Sequence, residues 1–395
     1  FDDTDWNKYA NKTDATITYL SRSDWQATYP KQLNLSLNAA MVKDLGWNKD
    51  VAINPNDKMP LYGQDRVFNL IDLKGLPYDH SSWDALLNQM TLEEQVKLLA
   101  HCYHGTKEVI SVAKPAEITH DGPMGIRQKY KTNSSAYTMS YPSTTLLAAS
   151  YNDELAYEVG YLMGEDMLHV GVTGIYAPGA NLHRSTYSGR NYEYYSEDAF
   201  ISGIMCKWQV IGIQETGCYV NMKHFALNDT EQDRLGQAAW LTEQAAREIY
   251  LKAFQGALES SQAGGNGVMM AYTRWGTQWS GGNHGLVTGI LKEEWGCYGL
   301  QITDNVLTPM VCGVDGVLAG TSCFDSMLAF YITDQLPKYE NDPKPISGVE
   351  IHLQVSASPF RYIDNNCFVY LCDFCTRLFC HVLQIRLDND HRPAA

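Results

Sequence analysis

The chain has 395 residues, of which 45% are hydrophobic and 19% are charged, a composition typical of a folded globular protein. Its 45 acidic and 30 basic side chains give a formal charge of −15, which repels phosphate backbones and anionic lipid headgroups. The sequence also lacks an apolar run of 18 or more residues. We therefore expect neither nucleic acid nor a membrane as a partner, and the length fits one large unit with extra segments.

The N-terminal part, residues 1–77, is polar and rich in turn-forming residues, so we interpret it as a connecting segment or the remnant of a preceding domain. The pattern changes near Ser81, where SSWDALLNQMTLEEQVKLLA carries apolar residues at helical spacing. Thr91 followed by Glu94 predicts a capping box that begins the second half of this helical stretch.

Short apolar runs then alternate with amphipathic stretches. The predicted strands are 117–121, 174–179, 218–225, 268–273 and 300–304, and the predicted helices are about 152–168, 199–214, 242–260 and 286–294. This alternation favours parallel strands joined by crossover helices, and residues 78–395 are predicted to form an α/β domain of the (β/α)8 TIM-like barrel type. A doubly wound open sheet is the alternative.

Polar residues follow the predicted strands, at the edge where a barrel gathers its functional loops. They are Asp121, Asn181 with Arg184 and Arg190 just beyond it, Lys223 and His224, Tyr272, and Asp304. Any one of them could be an ordinary turn residue, but five strands that end alike are harder to explain in this way. We therefore expect a polar site at this edge.

Asp304 closes the run GLQITD, where a carboxylate can be a helix cap, a nucleophile, a general base or a metal ligand. Because the other strand ends are mostly cationic, a nucleophile is favoured over a metal ligand. Lys223 and His224 are adjacent and would point to opposite faces of a regular strand. Both can serve one pocket only if the backbone is irregular after Met222.

No cofactor is predicted, since phosphate-binding loops, the dinucleotide glycine pattern, the G-x-S-x-G elbow and the H-E-x-x-H pair are absent from the sequence. The cysteines of CFVYLCDFCTRLFC, from Cys367 to Cys380, have spacings of five, three and five inside an apolar segment. Zinc sites usually show paired C-x-x-C spacings, so buried helical cysteines are favoured over a metal site.

Six stretches of the sequence closely resemble the catalytic barrel of glycoside hydrolase family 3. They are DGPMGIR (121–127), SGRNYEYYSEDAFISG (188–203), KHFALND (223–229), EQAAREIYLKAF (243–254), MMAYTRWGTQWSGGNHGLVTGILKEEWG (269–296) and GLQITD (299–304). The resemblance covers roughly 78–325, whereas 315–395 match poorly, so the barrel is expected to close there in an unusual way or to stay incomplete.

The resemblance implies a role for eight residues. Asp304 would be the nucleophile, and seven residues would bind the sugar or line its pocket: Asp121, Arg127, Arg190, Lys223, His224, Met269 and Tyr272. Glu197 and Asp198 would be structural partners of the cationic residues. Asn305 stands where the family often has an aromatic residue, which leaves a stacking surface beside the sugar in doubt.

A retaining glycosidase also needs an acid/base carboxyl group. In this family it commonly comes from a separate α/β sandwich domain, and ITYLSRSDWQATYP resembles the segment directly after that domain in members where the domain precedes the barrel. We therefore expect the acid/base outside this chain. Asp229, Glu231 and Asp233, in the loop after KHF, are the weaker internal candidates.

The resemblance thus implies a retaining β-glucosidase that acts on the terminal sugar of a small glycoside or oligosaccharide. The alternative from another class is a sugar-binding chain of the same fold that turns over poorly because it lacks the acid. A third interpretation, an unrelated barrel enzyme or a structural protein, requires the series of motifs to be a coincidence.

Overall fold

The fold is known from a computed structural model, which describes residues 21–29, 36–37, 39–43, 61–77, 79–100, 102–127, 138–232, 234, 237–259, 267–305, 315–316 and 319–325 of the chain. Within these ranges, every helix is too short or too polar to cross a lipid bilayer. The cysteine-rich segment after residue 325 lies outside the described residues, as does most of the predicted connecting segment.

Helices and strands alternate through the described residues. The helices are α1 (Trp25–Thr28), α2 (Ala39–Lys43), α3 (Ser82–Gln89), α4 (Leu92–Ala100), α5 (Thr144–Ala149), α6 (Asp153–Val170), α7 (Ala199–Glu215), α8 (Glu243–Ala245) and α9 (Lys252–Leu258), with π-helical stretches at Ala246–Tyr250 and Gly285–Glu294. The strands are β1 (Thr119–Asp121), β2 (Gly174–Tyr176), β3 (Tyr219–Phe225), β4 (Ala238–Ala239), β5 (Gly267–Met270), β6 (Arg274–Trp275), β7 (Gln278–Trp279) and β8 (Gln301–Thr303).

The central sheet has five parallel strands in the order β1-β2-β3-β5-β8. Each new strand is added to the same edge, whereas a doubly wound sheet reverses direction at a switch point. The order therefore favours half of a barrel over the doubly wound alternative. The prediction of an α/β domain with parallel strands is confirmed, but within the described residues the sheet is open and does not close into the expected eight-stranded barrel.

The strands bury their two faces in different places. Val268 and Met270 of β5 belong to a large apolar cluster shared with α6 and α7, while Met269 between them belongs to a second cluster that includes residues of α3 and α4. Successive strand residues point to opposite faces of a sheet. The face that carries Met269 is the one on which the pocket described below is built.

Helices α6 and α7 pack closely because glycines replace side chains at their contact. A Cβ atom on Gly160 would lie 2.1 Å from the carbonyl oxygen of Gln209, and one on Gly212 would lie 2.1 Å from that of Tyr157. A larger residue at either position would push the helices apart, and with them the strands they cover.

The local predictions can be compared with the observed elements. The capping box at the start of α4 is present, since Thr91 N donates to Glu94 Oε2 at 2.9 Å and Glu94 N donates to Thr91 Oγ1 at 3.2 Å. All five predicted strands are found, each somewhat shorter than predicted. The small sheet β4-β6-β7 was not predicted, because its two-residue strands are too short to show a periodic pattern.

Candidate active site

Asp121 and Lys223 form an ion pair across the carboxyl edge of the sheet. Asp121 ends β1, and its Oδ1 lies 2.5 Å from Lys223 Nζ on β3. Burial favours the neutral acid, but the charges of Lys223 and then Arg190 outweigh burial and lower the pKa of Asp121 below its ordinary value. Gly122, at φ +145°, turns the chain directly after Asp121, where a Cβ atom would lie 1.8 Å from a backbone carbonyl oxygen. Asp121 is therefore a fixed, ionised acceptor.

Lys223 and His224 both face this pocket, because β3 is irregular where they lie. The register between β3 and β5 shifts between Met222 and Phe225, as the adjacency of the two polar residues requires. Asn181 holds the backbone there: its Oδ1 accepts from His224 N at 2.8 Å, and its Nδ2 donates to His224 O at 3.0 Å. One strand thereby presents two adjacent side chains to one pocket.

The imidazole of His224 is neutral at neutral pH. Burial, followed by the positive charges of Arg190 and Lys223, holds its pKa well below the ordinary value. His224 Nε2 lies 3.7 Å from Asp304 Oδ2, too far for a hydrogen bond, and a neutral ring forms no ion pair. The Tyr194 hydroxyl lies 3.1 Å from Nδ1 and also accepts from Asn228 Nδ2 at 3.1 Å, so its own proton can go to Nδ1. In that tautomer Nε2 carries the ring proton and faces Asp304.

Asp304 lies directly after β8, with its side chain 14% exposed. Its backbone N–H donates to Met270 O at 3.1 Å, which ties the residue to β5. Arg234 Nη2 forms an ion pair with Asp304 Oδ2, and the guanidinium carbon lies 4.8 Å from the centre of the Tyr272 ring. The Tyr272 hydroxyl donates to Asn305 O. The carboxylate is thus held in place but still reaches the cavity.

A chain of alternating charges joins Asp121 to Asp304 around the pocket. In order, the groups are Asp121, Lys223, Glu193, Arg190, Glu231, Arg234 and Asp304, with N···O distances of 3.7 Å for Lys223 to Glu193, 3.7 Å for Arg190 to Glu231 and 3.4 Å for Arg234 to Glu231. The pairs of Arg190 with Glu193 and of Arg234 with Asp304 are closer. Each charge has an opposite neighbour, so the network fixes both end carboxylates.

The pocket is a cavity of about 360 Å³, a volume within the usual range for small-molecule sites. Seven of the eight predicted site residues line it: Asp121, Arg127, Arg190, Lys223, His224, Met269 and Asp304. The eighth, Tyr272, does not line the cavity but packs against Arg234, which does. Asn305, which replaces the expected aromatic residue, also lines the cavity and offers an amide instead of a stacking surface. A wider cleft of about 530 Å³ continues from Arg127 and Glu193.

Sequence reasoning missed several residues of this pocket. Glu193, instead of the expected Glu197 and Asp198, pairs with the cationic side chains; Asp198 caps α7 by accepting from the backbone N–H of its first turn, and Glu197 is exposed. Arg234 could have been noticed as the cation in the loop after KHF. Asp325, which also lines the cavity, lies at the end of the stretch that resembles the family and was not singled out from the sequence.

The internal candidates for the acid/base lie in unsuitable places. Asp229 is buried in a neighbouring cavity, where its Oδ1 accepts from Leu182 N at 2.5 Å. Glu231 is held by Arg190 and Arg234 and accepts from Asn228 Nδ2 at 2.9 Å. Asp233 lies outside the described residues. Among the residues that the structure describes, no group of three or more His, Cys, Asp or Glu side chains could hold a metal ion.

A comparison with known protein families identifies the family of this chain. Residues 85–316 match the glycosyl hydrolase family 3 N terminal domain. The chain belongs to this family. The family 3 match covers β1, β2, β3, β5 and β8, the strands that carry the pocket.

Individual family 3 proteins are similar over part of their length. Beta-glucosidase A of Butyrivibrio fibrisolvens is 39% identical over 193 residues, 49% of this chain and 23% of that protein. An exo-alpha-(1->6)-L-arabinopyranosidase of Bifidobacterium breve is 33% identical over 227 residues, 55% of this chain and 30% of that protein. The structure of beta-glucosidase 3B from Thermotoga neapolitana in complex with alpha-D-glucose has a TM-score of 0.58 and 27% identity, covering 75% of this chain and 42% of its own. The chain thus spans about a quarter to a third of these two curated relatives.

Proposed function

We propose that this chain hydrolyses terminal β-D-glucosyl residues of small glycosides by a retaining mechanism in which Asp304 is the nucleophile. The observation that carries the proposal is the position of Asp304: its carboxylate, after β8, reaches a cavity that also presents Lys223, His224 and Asp121. A relative named beta-glucosidase and a similar structure that holds glucose support the choice of sugar. Because another relative is named an arabinopyranosidase, a pentose glycoside is the main alternative substrate.

The other pocket residues suit a polyhydroxylated ring. Asp121 offers carboxylate oxygens to ring hydroxyls, while Lys223 and Arg190 donate to their oxygens. His224 donates through Nε2 on the side of Asp304. Met269 supplies an apolar contact for the C–H faces of the sugar. The cavity thereby combines acceptors and donors around one ring, which positions its anomeric carbon at Asp304.

In the first step, an Asp304 oxygen attacks the anomeric carbon as the bond to the leaving oxygen breaks, and an acid donates a proton to that oxygen. In the second step, water displaces Asp304 after giving a proton to the same group, now a base. Because Asp229 and Glu231 are engaged elsewhere, we propose that the acid/base comes from outside the described residues, from a separate α/β sandwich domain. Arg234 must share or release Asp304 Oδ2 during the attack.

A second candidate function is a sugar-binding chain that does not turn over efficiently. The ion pair between Arg234 and Asp304 favours it, since this pair lowers the reactivity of one carboxylate oxygen.

Two substrates separate the candidate functions. A nitrophenyl β-D-glucoside hardly needs an acid, because its leaving group is already stable as an anion, whereas cellobiose needs one. We expect the chain to cleave the first and not the second. Cleavage of both would place an acid within the chain, and cleavage of neither, with glucose still bound, would favour the sugar-binding alternative.

Asp304→Ala tests the nucleophile directly. We expect it to lower nitrophenyl glucoside cleavage by at least about a thousandfold, because no other group can form the covalent intermediate. Asp65→Asn, at an exposed position, is the matched control and should leave activity unchanged. A 2-deoxy-2-fluoro-β-D-glucosyl fluoride should label the peptide that contains Asp304. A label on another peptide would contradict the proposal.

A further inference from the structure

Asp325 is held rigidly beside Asp304 by the chain that runs next to β8. Cys323 forms a parallel bridge with Ile302, and Thr303 N donates to Cys323 O at 3.0 Å. Asp325 N in turn donates to Thr303 Oγ1 at 2.9 Å. The backbone of Asp325 is therefore fixed at the carboxyl end of β8, like that of Asp304 itself.

The side chain of Asp325 lies at the closed end of the cavity. Asp121 and Asp304 have side chains that are 36% and 14% exposed, whereas Asp325 is only 3% exposed, although it lines the same cavity. The Tyr176 hydroxyl, which donates to Cys102 O at 3.4 Å, also lies within hydrogen-bond reach of the Asp325 carboxyl group. Asp325 Oδ1 is buried and has no hydrogen-bond partner among the described residues. A buried polar atom of this kind is costly unless a ligand or water satisfies it.

The groups that face Asp325 favour its neutral form. They come from four elements: Asp121 from β1, Tyr176 from β2, Tyr272 after β5 and Asp304 after β8. Burial raises the pKa of Asp325 most, the Tyr176 hydrogen bond opposes this, and the charges of Asp304 and Asp121 add to the rise, to about 8. No cation pairs with Asp325 in the part of the chain that the structure describes. At neutral pH the group therefore carries an O–H donor.

We propose that Asp325 is a further sugar-binding residue, whose neutral carboxyl group donates a hydrogen bond to a ring hydroxyl at the closed end of the cavity. The assignment rests on the proposed function, because it takes the ligand to be the sugar ring held for attack by Asp304. A sugar hydroxyl fits the buried oxygen because it can accept from the acid and donate to Asp121 at once. A leaving group exits toward solvent, whereas Asp325 is only 3% exposed, so we assign it a binding role and not protonation of the leaving oxygen.

The test is a calorimetric titration with D-glucose between pH 6.5 and 9.5. For the wild-type chain we expect the affinity to fall about tenfold or more across this range, because an ionised Asp325 loses its proton and repels its acidic neighbours. Asp325→Asn keeps a donor that does not titrate, so its affinity should change less than about twofold with pH. Asp325→Ala should bind about tenfold more weakly at pH 7. Asp65→Asn should behave like the wild-type chain.

Three outcomes would overturn this assignment: a wild-type affinity that does not depend on pH, no binding of glucose at pH 6.5, or wild-type affinity in Asp325→Ala. If the wild-type chain does cleave cellobiose, and Asp325→Asn cleaves only nitrophenyl glucoside, Asp325 is the acid instead of a binding residue. Circular dichroism at each pH checks that the variants are folded. The proposed function is tested separately, by the labelling of Asp304. If Asp304 is not labelled, the proposed function fails, but the glucose titrations still report whether Asp325 contributes to sugar binding.

Discussion

Two separate cavities lie near the end of β3, and the carboxyl groups that line them differ in the direction of their pKa shifts. The candidate active site contains Asp121, while the neighbouring cavity, about 450 Å³ in volume and lined by Trp240 and Tyr250 among others, contains Asp229. Each carboxylate has a cation nearby. The pKa of Asp121 is nevertheless lowered, whereas burial raises the pKa of Asp229 to about 7.

The difference lies in how the cations are placed. Asp121 is in direct contact with the buried ammonium group of Lys223. Among the described residues, Asp229 accepts a backbone hydrogen bond from Leu182 and is influenced by the charge of the exposed Arg184, which is not in direct contact with it. A buried cation in contact outweighs the cost of desolvation, but an exposed one is screened by water. The neighbours of a carboxylate, more than its burial, therefore decide whether it binds as an anion.

Lys223→Met should have the largest effect on the difference between Asp121 and Asp229, because it removes the ion pair between Lys223 and Asp121. We expect kcat/KM for nitrophenyl glucoside to fall by about a thousandfold, because Asp121 loses its buried partner. The acidic limb of the pH profile of the residual activity should also move to higher pH. The reason is that Lys223, the main cause that lowers the pKa of Asp121, is gone. The pH dependence of kcat/KM measures both effects.

Lys252→Met, on the exposed surface of α9, is the matched control for Lys223→Met. It should leave the pH profile unchanged. If the acidic limb of the kcat/KM profile has the same midpoint in wild type and Lys223→Met, the result contradicts the proposed effect of the ion pair on the pKa of Asp121.

Asp229→Asn should sharpen the comparison from the other cavity. The pKa of Asp229 is about 7 in the folded state, against an ordinary value of 3.8. Its neutral carboxyl group therefore contributes stability that is fully present below pH 3.8 and is lost as the pH rises through 7. Asparagine does not ionise and can still accept from Leu182, so the loss between pH 4.5 and pH 8 should shrink by about 3 kcal/mol. Urea unfolding at pH 4.5 and pH 8 measures it. Equal losses in both proteins would mean that Asp229 ionises freely in the folded state.

Arg184→Met should have the smallest effect. Arg184 lies over the Tyr250 ring at 5.6 Å and lowers the pKa of Asp229 through charge alone. Its removal should move the midpoint of the pH-dependent stability difference upward by less than about one pH unit, because an exposed charge is screened. The same shift in wild type at 1 M salt would support this cause. A downward shift in the variant would contradict it.

The strand ends could be predicted to a large extent, because their signals are local. Five apolar runs identified the strands of the central sheet, and Asp121, Arg190, Lys223, His224 and Asp304, predicted at or just after strand ends, line one cavity. Arg127 and Met269, which also line it, were implied only by the family resemblance. Lys223 and His224 can both face one pocket only where the strand is irregular. The sequence indicated this irregularity, because the two polar residues are adjacent. Glu193, Arg234 and Asp325 were missed, because the paths of loops decide which charged residue reaches the pocket, and periodicity does not describe loops.

The sequence by itself determined the parallel strands and the residue at each strand end, since residue periodicity and the alternation of strands with helices depend on near neighbours. Only the tertiary structure decided which carboxyl groups are anions. Asp121 meets Lys223 across 102 residues, and Asp304 meets Arg234 across 70. Protonation depends on charges and burial within a few ångströms, and those neighbours are brought together only by the complete fold.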